Sequence, residues 1–257
     1  MLVWNHYLLA LIAMSIMAIV GWAYSRRIHN VTVVDSLWAL FFLLLTVVNA
    51  SLLEHLSMRS ILVLVLVTLW ALRLSGYLHM RNHGRPEDKR YAAIRARNQP
   101  NFELKSLYLV FLLQALLAWI IAMPLHTSLH SSVPLNNLDW LGAALWLIGM
   151  CFQVVGDAQL VCFKQKIENK NSVMQHGLWR YTRHPNYFGE ACIWWGYYCI
   201  AASSGAAWTI YSPILMTFLL VHVTGKKLLE ADIAERRPGY SEYIQRTSGF
   251  IPWFPKN

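Results

Sequence analysis

Arg183, His184, Asn186, Tyr187 and Glu190 fall within one octet, Arg183-His184-Pro185-Asn186-Tyr187-Phe188-Gly189-Glu190, at the head of an apolar stretch. A guanidinium, an imidazole, an amide, a phenol and a carboxylate are costly to desolvate at such a boundary, so they require partners. Asn186, Glu190 and Trp194 recur every four residues and on a helix share one face. They would aim an amide, a carboxylate and an indole at whatever that face packs against. A set of this kind holds a polar ligand by hydrogen bonds. It is not a metal set, because His83, His176 and His184 are dispersed in loops without paired spacing.

Further polar residues need a place. Asp35, Asp157 and Glu190 sit at or near the ends of apolar stretches, and Arg73 lies two turns inside another. One acid at such a place is as well explained as an interfacial anchor; three at one depth point to a shared polar cavity. Arg73 can snorkel past Tyr77 or pair with Asp35 or Glu190. In Arg81-Asn82-His83-Gly84-Arg85-Pro86-Glu87-Asp88-Lys89-Arg90-Tyr91, Gly84 and Pro86 break one helix and Glu87-Asp88 suit the first turn of the next. That short helix, with Tyr91 and Ile94 on its apolar side, is expected to lie on the membrane surface. Its arginines fit either anionic headgroups or a ligand's phosphates. Lys164 and Arg180 lie between Asp157 and the octet, where Gly177 predicts a tight turn and Pro185 stiffens the approach to the next helix.

The elements that must position these residues are membrane spans. Of 257 residues 56% are hydrophobic and only 14% charged, with 12 tryptophans. Seven stretches reach the length a span needs, at or near 20 residues: Tyr7–Tyr24, Val33–Leu53, Ile61–Met80, Leu104–Leu125, Trp140–Val161, Tyr187–Ala207 and Trp208–Val223. The last two, separated by a short Ser/Gly turn, predict a helical hairpin. The first is expected to be a span rather than a cleavable signal, since no basic region precedes it. Twenty of the 22 Lys and Arg residues fall in the segments Ser25–Thr32, Arg81–Lys105, Cys162–Asn186 and Gly225–Asn257. This asymmetry predicts an all-α, multi-pass membrane protein with its N-terminus outside and its C-terminus cytoplasmic. It also accounts for the net charge of +9 without nucleic acid. The expected organisation is one seven-span domain over 1–257, with cytoplasmic loops and short surface helices. Residues 82–257 would form its cofactor part and the spans over 7–80 its substrate side.

Cys151, Cys162, Cys192 and Cys199 lack metal-type spacing and are expected to be small buried hydrophobes. The tail is expected to leave the membrane as a helix around Leu228, Leu229, Glu230 and Ile233. Tyr240 and Tyr243 would then act as staples, and Phe250-Ile251-Pro252-Trp253-Phe254-Pro255 would lie at the interface.

The run Arg180-Tyr181-Thr182-Arg183-His184-Pro185-Asn186-Tyr187-Phe188-Gly189-Glu190, followed by Trp194-Trp195-Gly196, resembles the signature of the DUF1295 membrane proteins. These are part of a wider superfamily of steroid 5-alpha-reductases, sterol reductases and isoprenylcysteine carboxyl methyltransferases. The resemblance extends from Asp35 to Pro252 and is densest from Asp157 to Trp195. In the steroid branch NADPH is held from the cytosolic side by the inner loops. The resemblance therefore implies cofactor contacts at Asn186, Glu190 and Trp194, at Asp157 with Lys164, and in the Asn82-x-Gly84-Arg85-Pro86 loop. Arg90, Arg180, Arg183, His184, Tyr187, Tyr240 and Tyr243 would complete that site. The implied activity is an NADPH-dependent oxidoreductase of CH–CH groups, like a 3-oxo-5-alpha-steroid 4-dehydrogenase. Its substrate would be a lipophilic small molecule and its setting membrane lipid, in a bacterial inner membrane with the cofactor site facing the cytoplasm. Asp35 and Tyr77 would hydrogen-bond a substrate carbonyl, with Asp35 as proton donor, although span two lacks the Gln that precedes the acid in the steroid enzymes. The alternatives are an S-adenosylmethionine-dependent methyltransferase, in which Glu230 and the tail tyrosines matter more, and a lipid-binding protein without chemistry.

Overall fold

The computed structural model of the protein describes residues 3–169, 171–223, 237 and 239–256. Every regular element among them is helical. They form two compact units, Met1–Leu135 and Asn136–Asn257. The tail helix expected around Leu228–Ile233, including Glu230, lies outside the described residues.

In the first unit, α1 (Trp4–Ile28), α2 (Val33–Ser51) and α3 (Met58–Asn82) are the long helices. On α1 the residues Tyr7, Ala10, Met14, Ala18, Gly21 and Ser25 recur every three or four positions and are buried. Leu8, Ile12, Ile16 and Val20, on the other side, are exposed. A helix apolar all round, with its small residues on the packed face, is built for lipid outside and close helix contact inside. Phe42 of α2 and Trp70 of α3, both fully buried, meet edge-on with ring centroids 5.6 Å apart. Arg59, at the start of α3, is buried as a clamp. Its guanidinium donates to Ser131 Oγ at 2.9 Å, Val133 O at 2.7 Å and Pro134 O at 3.1 Å.

Gly84, at φ +68°, turns the chain out of α3. Asp88 caps α4 (Lys89–Arg97) by accepting the Arg90 amide at 2.9 Å, and its own amide donates to Thr32 Oγ1 at 2.8 Å. The surface helix is thereby tied to the start of α2. The fourth apolar stretch, Phe102–Ile121, comprises α5 (Phe102–Ser106), a π-helical turn at Leu107–Leu112 and α6 (Leu113–Ile121). It ends earlier than expected. Pro124 at its first turn opens a separate buried helix, α7 (Met123–Leu129).

The second unit is organised by α8 (Asn137–Gln165) against α9 (Pro185–Ala202). A Cβ on Gly149 would lie 2.4 Å from the Gly189 carbonyl oxygen, and one on Gly142 would lie 2.6 Å from that of Gly196. Only glycine permits this backbone contact. Because α8 packs through glycines, Cys151 and Cys162 are turned to its exposed side rather than buried as expected. Asn136 and Asp139 form a capping box at the start of α8, and Ser203 Oγ donates to Asp139 Oδ1 at 2.8 Å. A turn through Ser203, Ser204 and Gly205 (φ +91°) then leads to Ala207–Val223, which contains α10 (Tyr211–Phe218). The expected Ser/Gly hairpin is therefore present. The chain then returns in α11 (Tyr240–Arg246).

Among the described residues, five helical segments are long and apolar enough to cross a membrane: Trp4–Ile28, Val33–Ser51, Met58–Asn82, Phe102–Ile121 and Asn137–Gln165. The other two expected spans fold as Pro185–Ala202, whose Asn186, Glu190, tryptophans and tyrosines lower its hydropathy, and the shorter Ala207–Val223.

Candidate functional site

The glycine contact fixes the register of α8 on α9, and three polar rungs follow from it. Trp146 Nε1 donates to Tyr197 Oη at 3.0 Å, Gln153 Nε2 donates to Glu190 Oε2, and Asn186 Nδ2 lies 3.4 Å from Asp157 Oδ1. The rungs are seven and then four residues apart on both helices, as antiparallel helices packed along one stripe require. Glu190 Oε1 also accepts from Trp194 Nε1 at 3.0 Å. Both Glu190 and Gln153 are buried, so the carboxylate is held by donors on two helices. The predicted face of Asn186, Glu190 and Trp194 exists, and it packs on α8.

The approach to α9 is equally specified. Gly177 adopts φ +60°, Leu178 N donates to Gln159 Oε1 at 3.0 Å, and Trp179 Nε1 donates to Gly156 O at 3.0 Å. His184 is buried and its ring stacks on Tyr187, with centroids 5.3 Å apart and planes 8° from parallel. Arg183 is buried too, and its guanidinium donates to the carbonyls of Ile244 and Thr247. Tyr243 Oη donates to Trp179 O, and Tyr240 is buried beside it with ring centroids 5.8 Å apart. Arg183 and Tyr243 thus hold the tail segment. Lys164 and Arg180 are exposed. A cavity of about 470 Å³ opens beyond Asp157, lined by Gln159, Phe163, Lys166, Met174, His176 and Gly177 among others.

The first unit carries its own polar cluster. Tyr91 Oη donates to Asp35 Oδ1 at 2.6 Å and accepts from Gln114 Nε2 at 3.1 Å. Arg90 donates to Asp35 Oδ2 at 3.1 Å and to Asp88 Oδ1 at 2.9 Å, and Arg81 lies 3.7 Å from Asp35 Oδ2. Both oxygens of Asp35 therefore act as acceptors toward cations and a phenol. Burial, together with the Asp35 charge, pushes the Tyr91 phenol well above its ordinary range, so it stays a neutral donor. Burial works against ionisation of Glu87 and Asp88, yet Arg95 and the Val31 amide for the first, and Arg90 for the second, hold both below the usual carboxylate range. Tyr77 lies between two cations, with the Arg73 and Arg81 guanidinium carbons 5.4 and 6.0 Å from its ring centroid. Asn82 Oδ1 accepts from Arg81 Nε at 3.0 Å, whereas its buried Nδ2 has no hydrogen-bond partner among the described residues. The Arg85 side chain is exposed. Of the loop residues expected to grip phosphate, Arg90 is committed to two carboxylates.

Three participants were not visible as such in the sequence. Gln153 and Gln114 are single amides within apolar stretches, which no spacing singles out, and Tyr91 is expected on the apolar side of a surface helix. The seven-residue spacing of Gly142, Gly149 and Gly156, matched by Gly189 and Gly196, is the signal that would have paired α8 with α9. Among the described residues, no group of three or more His, Cys, Asp or Glu side chains is placed to hold a metal ion.

Comparison with known proteins agrees with the motif. An uncharacterized protein of Schizosaccharomyces pombe is 24% identical over an alignment of 281 positions, covering 96% of this chain and 80% of that protein. The 3-oxo-5-alpha-steroid 4-dehydrogenase 1 of Bos taurus is 36% identical over 77 residues, 27% of this chain and 30% of the bovine protein. Its namesake from Mus musculus is 30% identical over 79 residues, 31% of this chain and 29% of the mouse protein. The chain thus spans under a third of either steroid dehydrogenase. No solved structure matches it. The family model described as "Protein of unknown function (DUF1295)" matches residues 21–247, and the chain belongs to the DUF1295 family.

Proposed function

We propose that this protein is a membrane-embedded NAD(P)H-dependent reductase of a carbon–carbon double bond in a lipophilic, enone-like molecule. The observation that carries this reading is the ladder of the part-buried Asp157–Asn186 and the buried Gln153–Glu190 pairs, two residues from Gln159 at the edge of the cavity. The local similarity to two 3-oxo-5-alpha-steroid 4-dehydrogenases supports it. We also propose seven spans with the N-terminus outside, which puts the ladder's Asp157–Asn186 end on the cytoplasmic side, as the charge distribution favours.

The donor set fits a phosphorylated dinucleotide. Lys164 and Arg180 are exposed cations, suited to phosphate oxygens, and the cavity offers Lys166 and His176 beside the apolar Phe163 and Met174. Bound there, the nicotinamide cofactor would supply a hydride. Asp157 and Asn186 would hydrogen-bond its polar groups. Glu190, fixed by Gln153 and Trp194, would keep the first turns of α9 rigid beneath them. In the first unit, Tyr77 and Asp35 are the proposed partners of a substrate oxygen. Tyr77 would donate to that oxygen directly, and Asp35, both of whose oxygens accept, would act by fixing Tyr91, Arg90 and Arg81.

Titration of purified protein in neutral detergent with NADPH, followed by tryptophan quenching and thermal shift, tests the reading. Quenching by NADPH that Asn186→Ala abolishes is the expected result. A response to S-adenosylmethionine with none to NADPH would overturn it in favour of a methyltransferase.

A further inference from the structure

We infer that residues 250–254 form a rigid strap that docks into the anionic interface of the bilayer beside the start of α9. Ile251, Trp253 and Phe254 are 65%, 71% and 75% exposed. Three large apolar side chains projecting together from a held backbone are costly in water and suited to the headgroup level of a membrane.

The backbone of the strap is held on both sides. Trp253 N donates to Tyr181 O at 2.9 Å, Thr182 Oγ1 donates to Phe250 O at 2.9 Å, and Lys256 N donates to Arg246 O at 2.9 Å. Arg183 secures the preceding segment through its amide, 2.9 Å from Ser248 O, and through its guanidinium on Ile244 and Thr247. Proline at positions 252 and 255 further limits the strap's backbone freedom.

Two observations select lipid as the occupant. The first is level. Tyr181 and Thr182 lie four and three residues before Pro185, the first residue of α9, so the strap is anchored a few residues from the start of that helix. The second is charge. Arg246 and Lys256 are exposed and line one surface cavity with Trp253 and Phe254, whereas Glu242 is the one acid described on α11. Aromatic side chains flanked by cations match an anionic headgroup layer. The inference is independent of the proposed reductase reading, because it rests on the strap alone.

Photo-crosslinking in the intact protein tests it. Benzoylphenylalanine would be introduced by Ile251→benzoylphenylalanine and, separately, Phe254→benzoylphenylalanine, with Glu242→benzoylphenylalanine as the exposed control. Each variant would be reconstituted at one chain per nanodisc, in phosphatidylcholine alone or with phosphatidylglycerol. The expected result is a lipid adduct at 251 and 254 several-fold above the control, rising at least twofold with phosphatidylglycerol. That rise should vanish in the doubly substituted Arg246→Gln, Lys256→Gln background. Equal adduct yields at all three sites would overturn the inference, as would cross-links to protein in native membranes in place of lipid adducts. Adduct formation indifferent to phosphatidylglycerol would overturn its anionic part.

Discussion

Tyr91 donates a 2.6 Å hydrogen bond to Asp35, joining a surface helix to the first turn of α2 across 56 positions of sequence. Asp35 also faces Arg90 and Arg81. Tyr91→Phe should lower stability by about 1–2 kcal/mol, the usual cost of leaving a buried acceptor short of one donor. Asp35→Asn should cost more, because it removes the carboxylate that Arg81 and Arg90 share and leaves Arg90 with Asp88 alone. Thermal unfolding in detergent checks both, and the double variant should cost less than the two single changes added. Strict additivity would show that the two residues do not act as a pair.

The contact of α8 with α9 predicts a sharp contrast between glycines. Gly149→Ala puts a methyl 2.4 Å from a backbone oxygen, so the helices must separate. A loss of about 1–3 kcal/mol is expected, as for overpacked cores, and Gly149→Val should prevent accumulation of folded protein. Gly76→Ala on α3 meets nothing within 4 Å and should be neutral or stabilising by about 0.5–1 kcal/mol. Unfolding midpoints of the three variants, measured side by side, decide the matter.

Nucleotide affinity and stability should separate by residue. Lys164→Ala and Arg180→Ala alter exposed cations, so NADPH binding should weaken several-fold and lose part of its salt dependence while the unfolding midpoint holds. Glu190→Ala strips the acceptor from Gln153 and Trp194 and should reduce both binding and stability. Isothermal titration at two salt concentrations, with unfolding scans of the same samples, separates the two classes.

A pH prediction comes from α7. Burial, with His130 and His6 adding to it, pushes the His126 imidazole from 6.5 down to about 3. Its Nδ1 donates to Asn49 Oδ1 at 2.8 Å, since the Asn49 amide nitrogen is already given to Leu45 O at 2.8 Å. Below pH 6.5 the unfolded chain takes up a proton that the folded one refuses. This stabilisation is therefore complete above pH 6.5 and declines as pH falls toward 3. Between pH 6 and 5 the slope for one such group is on the order of 1 kcal/mol per pH unit. His126→Gln should flatten it, and an unchanged slope would assign the pH dependence to other groups.

The sequence by itself determined where helices form and where they turn. Apolar length marked the long helices, Pro185 and Gly84 marked the breaks, and the Ser203–Gly205 turn set the hairpin, because these are local properties of the chain. The spacing of Asn186, Glu190 and Trp194 was likewise enough to put them on one helical face. What that face meets was decided by tertiary structure. Glycine backbone contact sets the register of α8 on α9, and register alone selects Gln153 for Glu190 and Asp157 for Asn186. The long cationic side chains were less legible still. Arg183 looked like a phosphate ligand and is held by tail carbonyls, Arg90 is held by Asp35 and Asp88, and Arg59 clamps the loop through Ser131, Val133 and Pro134. A guanidinium has five donors and a reach of several bonds, so its residue type does not name its partner. Only the packed backbone brings one set of acceptors within range.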